Sequence, residues 1–147
     1  MRLLPMPSMN LLVRIVPELR LTAPMAAPTT RASAAMRPVI LVIDGVQHYV
    51  RGNRASVGGE SVTEKFYDDQ EYHLREGDMV YLFTDGYCDQ FGGTGGKKMK
   101  ISRLKTLVDE LAPLSAADQQ HHVKEFFFEW MGKHEQVDDV LFMGLRV

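Results

Sequence analysis

Met79-Val-Tyr-Leu-Phe83 constrains the fold more than any other segment: five consecutive apolar residues, without alternation, between Asp78 and Thr84. A run this short suits a strand rather than a helix, and the missing alternation predicts a strand buried at the centre of a sheet. Such a strand requires neighbours on both edges. One pair lies upstream, where Val39–Ile43 and Val46–Val50 flank Asp44-Gly45. Asp-Gly readily adopts the positive backbone angles of a tight turn, so an antiparallel hairpin is expected there.

The remaining elements follow from similar signals. Ser56-Val-Gly-Gly59 reads as a loop, and residues 64–74 alternate loosely as a further strand before the Glu76-Gly77-Asp78 turn. Gly92-Gly93-Thr94-Gly95-Gly96-Lys97-Lys98 reads as a flexible basic loop. It lacks the first glycine of a nucleotide P-loop and has no Ser or Thr after the lysine, so a phosphate cradle is not expected. Ile101, Leu104, Val108 and Leu111 fall on one helical face that ends near Pro113. Ser115 to Asp118 makes a capping box for a second helix, whose core stripe is Val123, Phe126, Phe127, Trp130 and Met131. Gly132 closes that helix, and residues 137–147 return to a strand. The fold class expected is α+β, a layered α/β sandwich in which two C-terminal helices cover a mostly antiparallel sheet.

The chain changes character near residue 37. Before it stand Arg2, Arg14, Arg20 and Arg31 against a single acid, Glu18, with Pro5, Pro7, Pro17, Pro24 and Pro28 interrupting any long helix or central strand. Residues 1–36 are therefore expected to be disordered, targeting-like or non-native, and residues 37–147 to form the domain. Arg14 breaks the apolar run at Leu11-Leu-Val13, so no stretch of about 20 apolar residues is available to insert into a membrane. A formal net charge of -2 argues against a nucleic-acid surface, which needs a concentrated basic face. Cys88 is the only cysteine, so no intrachain disulfide can form and a cytoplasmic setting is the default. No histidine neighbours Cys88 in sequence, which favours a packed thiol over a reactive one.

Two acidic motifs carry the chemistry. Thr84-Asp85-Gly86 ends the central apolar run, and Asp138-Asp139 precedes another, Val140-Leu-Phe-Met143. Carboxylates at the ends of strands can present oxygen ligands for a hard metal ion in a cleft. Asp44-Gly45 is explained by its hairpin, and His121 and His122 lack a third ligand at a recognisable spacing, so they read as surface residues.

The run from Gly77 to Gly93, the Gly96-Lys97-Lys98 loop, the Trp130-Met-Gly132 helix end and Glu135-Gln136-Val137-Asp138-Asp139-Val140 together resemble the C-terminal part of the stage II sporulation protein E-like phosphatases. These are a branch of the metal-dependent PPM, or type 2C-like, protein serine/threonine phosphatases. The resemblance covers residues 37–147 and implies hydrolysis of phosphoserine or phosphothreonine on a signalling protein. Water activated between two Mn²⁺ or Mg²⁺ ions would do this, which agrees with the preference of such ions for oxygen ligands. By matching motifs, Asp85 and Asp138 correspond to family metal ligands. Gly86 turns the backbone beside the first, Asp139 neighbours the second, and Asp89 is a candidate supporting carboxylate.

The chain also departs from that pattern. Family members carry an earlier acidic strand and a further Asp-Gly motif whose aspartate bridges both metals, and residues 1–36 contain neither. Two aspartates cannot satisfy two ions that each want about six oxygens. The expectation is an incomplete catalytic domain with impaired activity; the alternative is a catalytically inactive module that binds a phosphoprotein or signalling partner. An incomplete sandwich would also leave apolar surface that invites self-association.

Overall fold

A computed structural model describes residues 11–16, 29–32, 37–52 and 70–147 of the chain. In chain order the elements are β1 (Leu11–Val16), β2 (Thr29–Ala32), β3 (Val39–Ile43), β4 (Val46–Val50), β5 (Gln70–His73) and β6 (Met79–Phe83). The short helix α1 (Asp85–Asp89), β7 (Phe91–Gly92), β8 (Lys97–Lys98), α2 (Lys100–Leu111), α3 (Ala116–Met131) and β9 (Val140–Arg146) follow. Five strands form the main sheet in the order β1-β9-β6-β3-β4. The central apolar run is thus flanked on both edges, as its composition requires.

The β3–β4 hairpin has the expected register, with Ile43 opposite Val46 and Val39 opposite Val50. Asp44 and Gly45 both take positive φ, 49° and 76°, the conformation a two-residue turn of this twist demands. β3 and β6 pair antiparallel from Val39↔Leu82 to Val42↔Met79, and β6 and β9 pair antiparallel from Met79↔Arg146 to Phe83↔Phe142. The exception to antiparallel order is β1, which runs parallel to β9 from Leu11↔Val140 to Val16↔Leu145. It lies between Pro7 and Pro17 at the sheet edge, the position that proline-flanked strands tolerate. Residues 1–36 were expected outside the fold, yet β1 joins the main sheet and β2 pairs with β5 in a separate two-stranded one. Val13 is buried, and its carbonyl accepts a hydrogen bond from Gln120 Nε2 at 3.0 Å.

Alternation sorts side chains onto the two faces of the sheet. Ile40, Val42, Met79, Tyr81, Phe83, Val140 and Phe142 point to the core that the helices cover. α2 contributes Leu104, Leu107, Val108 and Leu111, while α3 contributes the i, i+4 stripe Gln119, Val123, Phe127 and Met131. Ile101 and two of the aromatics expected in the core, Phe126 and Trp130, pack against it only partly buried. Tyr87 links the layers, its ring 5.2 Å from Phe127 and 5.5 Å from Phe142, and its hydroxyl donates to the Val123 carbonyl. Tyr81 satisfies its buried hydroxyl on Gln119 Oε1 at 3.0 Å, as a phenol inside a core must. On the opposite face Val39, Leu41 and Val50 form a smaller cluster with Ile43, Tyr72 and Val80, while Leu82 remains exposed.

Local signals behave as the chemistry predicts. Ser115 caps α3, accepting from the Asp118 amide at 3.2 Å and donating to Asp118 Oδ2 at 2.6 Å, and Gly132 ends that helix at φ 54°. The glycine-rich segment expected to be a flexible loop is instead the small β7–β8 hairpin. A Cβ at Gly92 would collide with the Trp130 carbonyl, which also accepts from the Gly93 amide at 2.8 Å. Close packing on the end of α3, not phosphate binding, accounts for glycine there. The 56–59 loop and residues 64–69 of the loosely alternating strand lie outside the described residues; its remainder contains β5.

Asp78 sits in the turn expected before β6, yet it is buried and ties two turns together. Its Oδ1 accepts from the Asp44 amide at 2.9 Å and its Oδ2 from the Arg75 amide at 2.7 Å. Removing the carboxylate strands both amides. Asp78→Ala is expected to cost about 2–3 kcal/mol in urea-monitored unfolding, whereas a loss below about 0.5 kcal/mol would show that water replaces it.

Candidate metal centre

The end of β6 and the start of β9 are bound to one another by Thr84. Its amide donates to the Leu141 carbonyl, and its hydroxyl accepts from the Leu141 amide, both at 3.0 Å. That same hydroxyl donates to the Asp139 carbonyl at 3.0 Å. One residue thereby continues the strand pairing past Phe83↔Phe142 and holds the Asp138-Asp139 segment against the Asp85-Gly86 turn.

Gly86 makes that contact possible. It is buried, and a Cβ built on it would collide with the Asp139 carbonyl oxygen and lie 3.3 Å from Asp138 Cβ. Its φ is ordinary, so the requirement is space rather than backbone freedom. Asp138 and Asp139 are exposed, and Asp138 Oδ1 accepts from the Asp139 amide at 2.7 Å, which shapes the turn before β9. Behind them Gln90, fully buried, donates through Nε2 to the Glu135 carbonyl at 2.8 Å and accepts from the Val137 amide at 3.4 Å. Its own carbonyl accepts from Trp130 Nε1 at 3.0 Å. Gln90 thus fixes the approach of the chain to Asp138 from the other side.

Asp85, the first residue of α1, forms an ion pair with Arg37. Both side chains are about half exposed, at 46% and 56%. The hydrogen bond from the Arg37 guanidinium, ahead of the opposing effect of burial, holds the Asp85 carboxyl below its ordinary value of 3.8. A folded-state pKa below the unfolded one means that the pair's stabilisation is full above the unfolded value and is lost as pH falls through the folded one. Solvent screening keeps that contribution small.

The four residues singled out from sequence, Asp85, Gly86, Asp138 and Asp139, come together at this junction. Asp89, one helical turn beyond Asp85, instead pairs with Lys98 at 3.2 Å. Asp44 follows β3 at its far end and pairs with Arg75 at 3.1 Å. His121 and His122 are on the outside of α3, His121 3.1 Å from Glu125 and His122 3.6 Å from Glu110. Burial, with Asp89 and Asp85 adding to it, pushes the Cys88 thiol up to about 12, so it is protonated and a packing residue. Arg37, Thr84 and Gln90 carry roles that spacing did not suggest. Thr84 stands in the motif itself, but no periodic signal marks Arg37 or Gln90.

The donors at the junction suit a hard divalent cation in kind: the carboxylates of Asp85 and Asp138 stand on the two turns that Thr84 and the close approach of Gly86 to Asp139 bring together. In number they fall short of a closed site. Among the described residues, no group of three or more His, Cys, Asp or Glu side chains could hold a metal ion.

Thr84→Val keeps the shape of the side chain but removes both hydroxyl bonds, and is expected to cost about 1–2 kcal/mol in chemical denaturation. Gly86→Ala is expected to cost about 1–3 kcal/mol, because backbone must shift to admit the Cβ. An alanine variant as stable as the parent would contradict the close approach of Asp139. In a carboxyl NMR titration, Asp85 should titrate below the ordinary carboxylate range and rise in Arg37→Gln; an unchanged Asp85 would remove Arg37 as the cause.

Comparison with known proteins agrees with this geometry. In three dimensions the chain is similar to the SiaA-PP2C domain of Pseudomonas aeruginosa, with a TM-score of 0.66 and 26% sequence identity over 77% of this chain and 44% of that one. The chain thus spans less than half the length of that structure, and its fold is part of a PPM phosphatase fold. A comparison with curated proteins returned no match. The family model described as stage II sporulation protein E (SpoIIE) matches residues 24–147, starting thirteen residues before the composition break at 37. With that match spanning most of its length, the chain belongs to the stage II sporulation protein E family of PPM-type phosphatases.

Proposed function

We propose that this chain carries the C-terminal portion of a metal-dependent phosphatase site that removes phosphate from phosphoserine or phosphothreonine on a signalling protein, and that its activity alone is impaired. The observation that carries the reading is the Thr84 junction, which joins Asp85-Gly86 to Asp138-Asp139 in a family of phosphatases. Asp85, Asp138 and the Gly86 carbonyl are the groups that would hold Mn²⁺ or Mg²⁺, with Asp139 shaping the turn beside them. Such an ion lowers the pKa of water and offsets charge on phosphoryl oxygens.

The chain's own contribution is orientation. Thr84 and Gln90 fix the two acidic turns relative to one another, so the carboxylates need little rearrangement to receive a cation, which is how hydrogen bonds around ligands raise affinity. Exposure of Asp138 and Asp139 leaves the junction open to a substrate as large as a protein. Impairment follows from ligand count among the described residues: a cation that prefers about six oxygens is mostly hydrated when few carboxylates meet it, and binds weakly. The formal net charge of -2 argues against a nucleic-acid partner, and no helix among the described residues is long and apolar enough to cross a membrane.

The test is release of phosphate from p-nitrophenyl phosphate and from a phosphoserine peptide, with and without Mn²⁺. Slow, Mn²⁺-dependent release is expected, falling at least tenfold in Asp85→Asn and in Asp138→Asn while the melting temperature stays within a few degrees. Mn²⁺ binding without any turnover would favour a phosphoprotein-binding module instead. Turnover that is indifferent to Mn²⁺ and to both substitutions would overturn the proposal.

A further inference from the structure

Between Asp89 and Asp109 stand Lys97, Lys98, Lys100, Arg103 and Lys105 and no acid, so five of the chain's 17 Lys and Arg fall in one segment of a chain whose net charge is -2. The fold gathers four of them on one exposed surface. Lys97 and Lys98 form β8 of the small hairpin, and α2 begins at Lys100, with Arg103 following on the same helical face. Lys105 instead lies over the Tyr49 ring, its Nζ 4.0 Å from the centre.

This surface is already shaped for a carboxylate. The Arg103 guanidinium sits 4.4 Å from the centre of the Trp130 ring, held there by cation–π attraction. Lys98 is neutralised by Asp89 at 3.2 Å, but among the described residues no carboxylate pairs with Lys97, Lys100 or Arg103. Phe91, opposite Lys98 in the hairpin, is exposed and offers an apolar contact beside these charges. Lys100 takes a φ of 66°, where glycine would be less strained.

The same residue that fixes the acidic junction fixes this surface. The Gln90 carbonyl accepts from the Met99 amide and from Trp130 Nε1, both at 3.0 Å, while its side chain holds the approach to Asp138. Asp89, which meets Lys98, ends the short helix that Asp85 begins.

We propose that the β7–β8 hairpin and the first turn of α2 form a docking surface for an acidic protein segment, with Asp or Glu side chains on Lys97, Lys100 and Arg103 and an apolar side chain on Phe91. A guanidinium held flat against a ring keeps its fork of N–H donors for a carboxylate. A nucleic acid fits less well, because Asp85 and Asp89 stand next to the hairpin and repel a continuous row of phosphates. A peptide can alternate acids with apolar residues. That the acids flank a phosphoserine rests on the phosphatase reading above; the docking itself does not.

Fluorescence anisotropy of the full chain with a labelled, unphosphorylated Glu-rich peptide containing one phenylalanine tests this without metal. Binding is expected to weaken as salt rises. It should fall about three- to tenfold in the double variant Lys97→Gln/Arg103→Gln, the size of two exposed ion pairs. Arg14→Gln/Lys124→Gln, which removes the same charge from β1 and α3, should keep the parent affinity. Circular dichroism melts within a few degrees of the parent establish folding, and amide NMR shifts locate the peptide on the parent without any substitution: residues 91–103 should move while His121 and His122 stay. No binding, equal losses in the two double variants, or shifts elsewhere overturn the proposal. So does tighter binding of oligothymidylate or of phosphatidylserine vesicles than of the peptide, which would assign the surface to nucleic acid or membrane. Because probe and buffer lack phosphate and metal, failure here leaves the phosphatase reading standing, and a chain without turnover can still pass.

Discussion

The hydroxyl of Thr84 is the contact on which the candidate site depends. It donates to Asp139 and accepts from Leu141, so one oxygen ties the residue after β6 to the residues on either side of the start of β9. It adds to the Thr84 amide bond to the Leu141 carbonyl and to the β6–β9 pairing in holding the turns of Asp85 and Asp138 together. A hydroxyl can do this because it is donor and acceptor at once, and because Gly86 clears the space through which the Asp139 carbonyl approaches.

That junction is stable only because the layers beneath it are. Tyr87 follows Gly86 directly and stacks between Phe127 and Phe142, so the turn bearing Asp85 is anchored to α3 and β9 together. Gln90 anchors the other acidic turn through the Glu135 carbonyl and the Val137 amide, and receives Trp130 in return. Buried polar groups of this kind are costly when unmatched and directional when matched, which suits residues that set the position of ligands rather than bind them. The charged groups, by contrast, stay near solvent, where the ion pair of Asp85 and Arg37 contributes little.

Much of this was legible in the sequence, for identifiable reasons. The hairpin at Asp44-Gly45 was readable because positive φ is expensive for most residues and cheap for these. Met79–Phe83 was readable as a central strand, and it is flanked on both edges, but only Met79, Tyr81 and Phe83 face the covered core while Leu82 is exposed; Ser115 announced α3 through a cap whose chemistry is local. The strand β1 was not readable. Its residues pair with β9 from more than a hundred positions away, and the prolines and arginines around it argue locally against order. Gly92 was misleading for a related reason: its cause is the carbonyl of Trp130, a distant atom. Among site residues, the acids announced themselves by position after or before apolar runs. Arg37, Thr84 and Gln90 act through strand register and side-chain hydrogen bonds, which a single sequence does not display.

The central claim is that two acidic turns, more than fifty residues apart in the chain, form one cation-facing junction. Paramagnetic broadening of amide NMR signals by substoichiometric Mn²⁺ tests it most directly. The account predicts that the amides of Asp85, Gly86, Asp138 and Asp139 broaden together at the lowest Mn²⁺ concentrations, while those of Asp44, His121 and His122 persist. Broadening confined to one acidic turn, or led by Asp44 or the histidines, would contradict it.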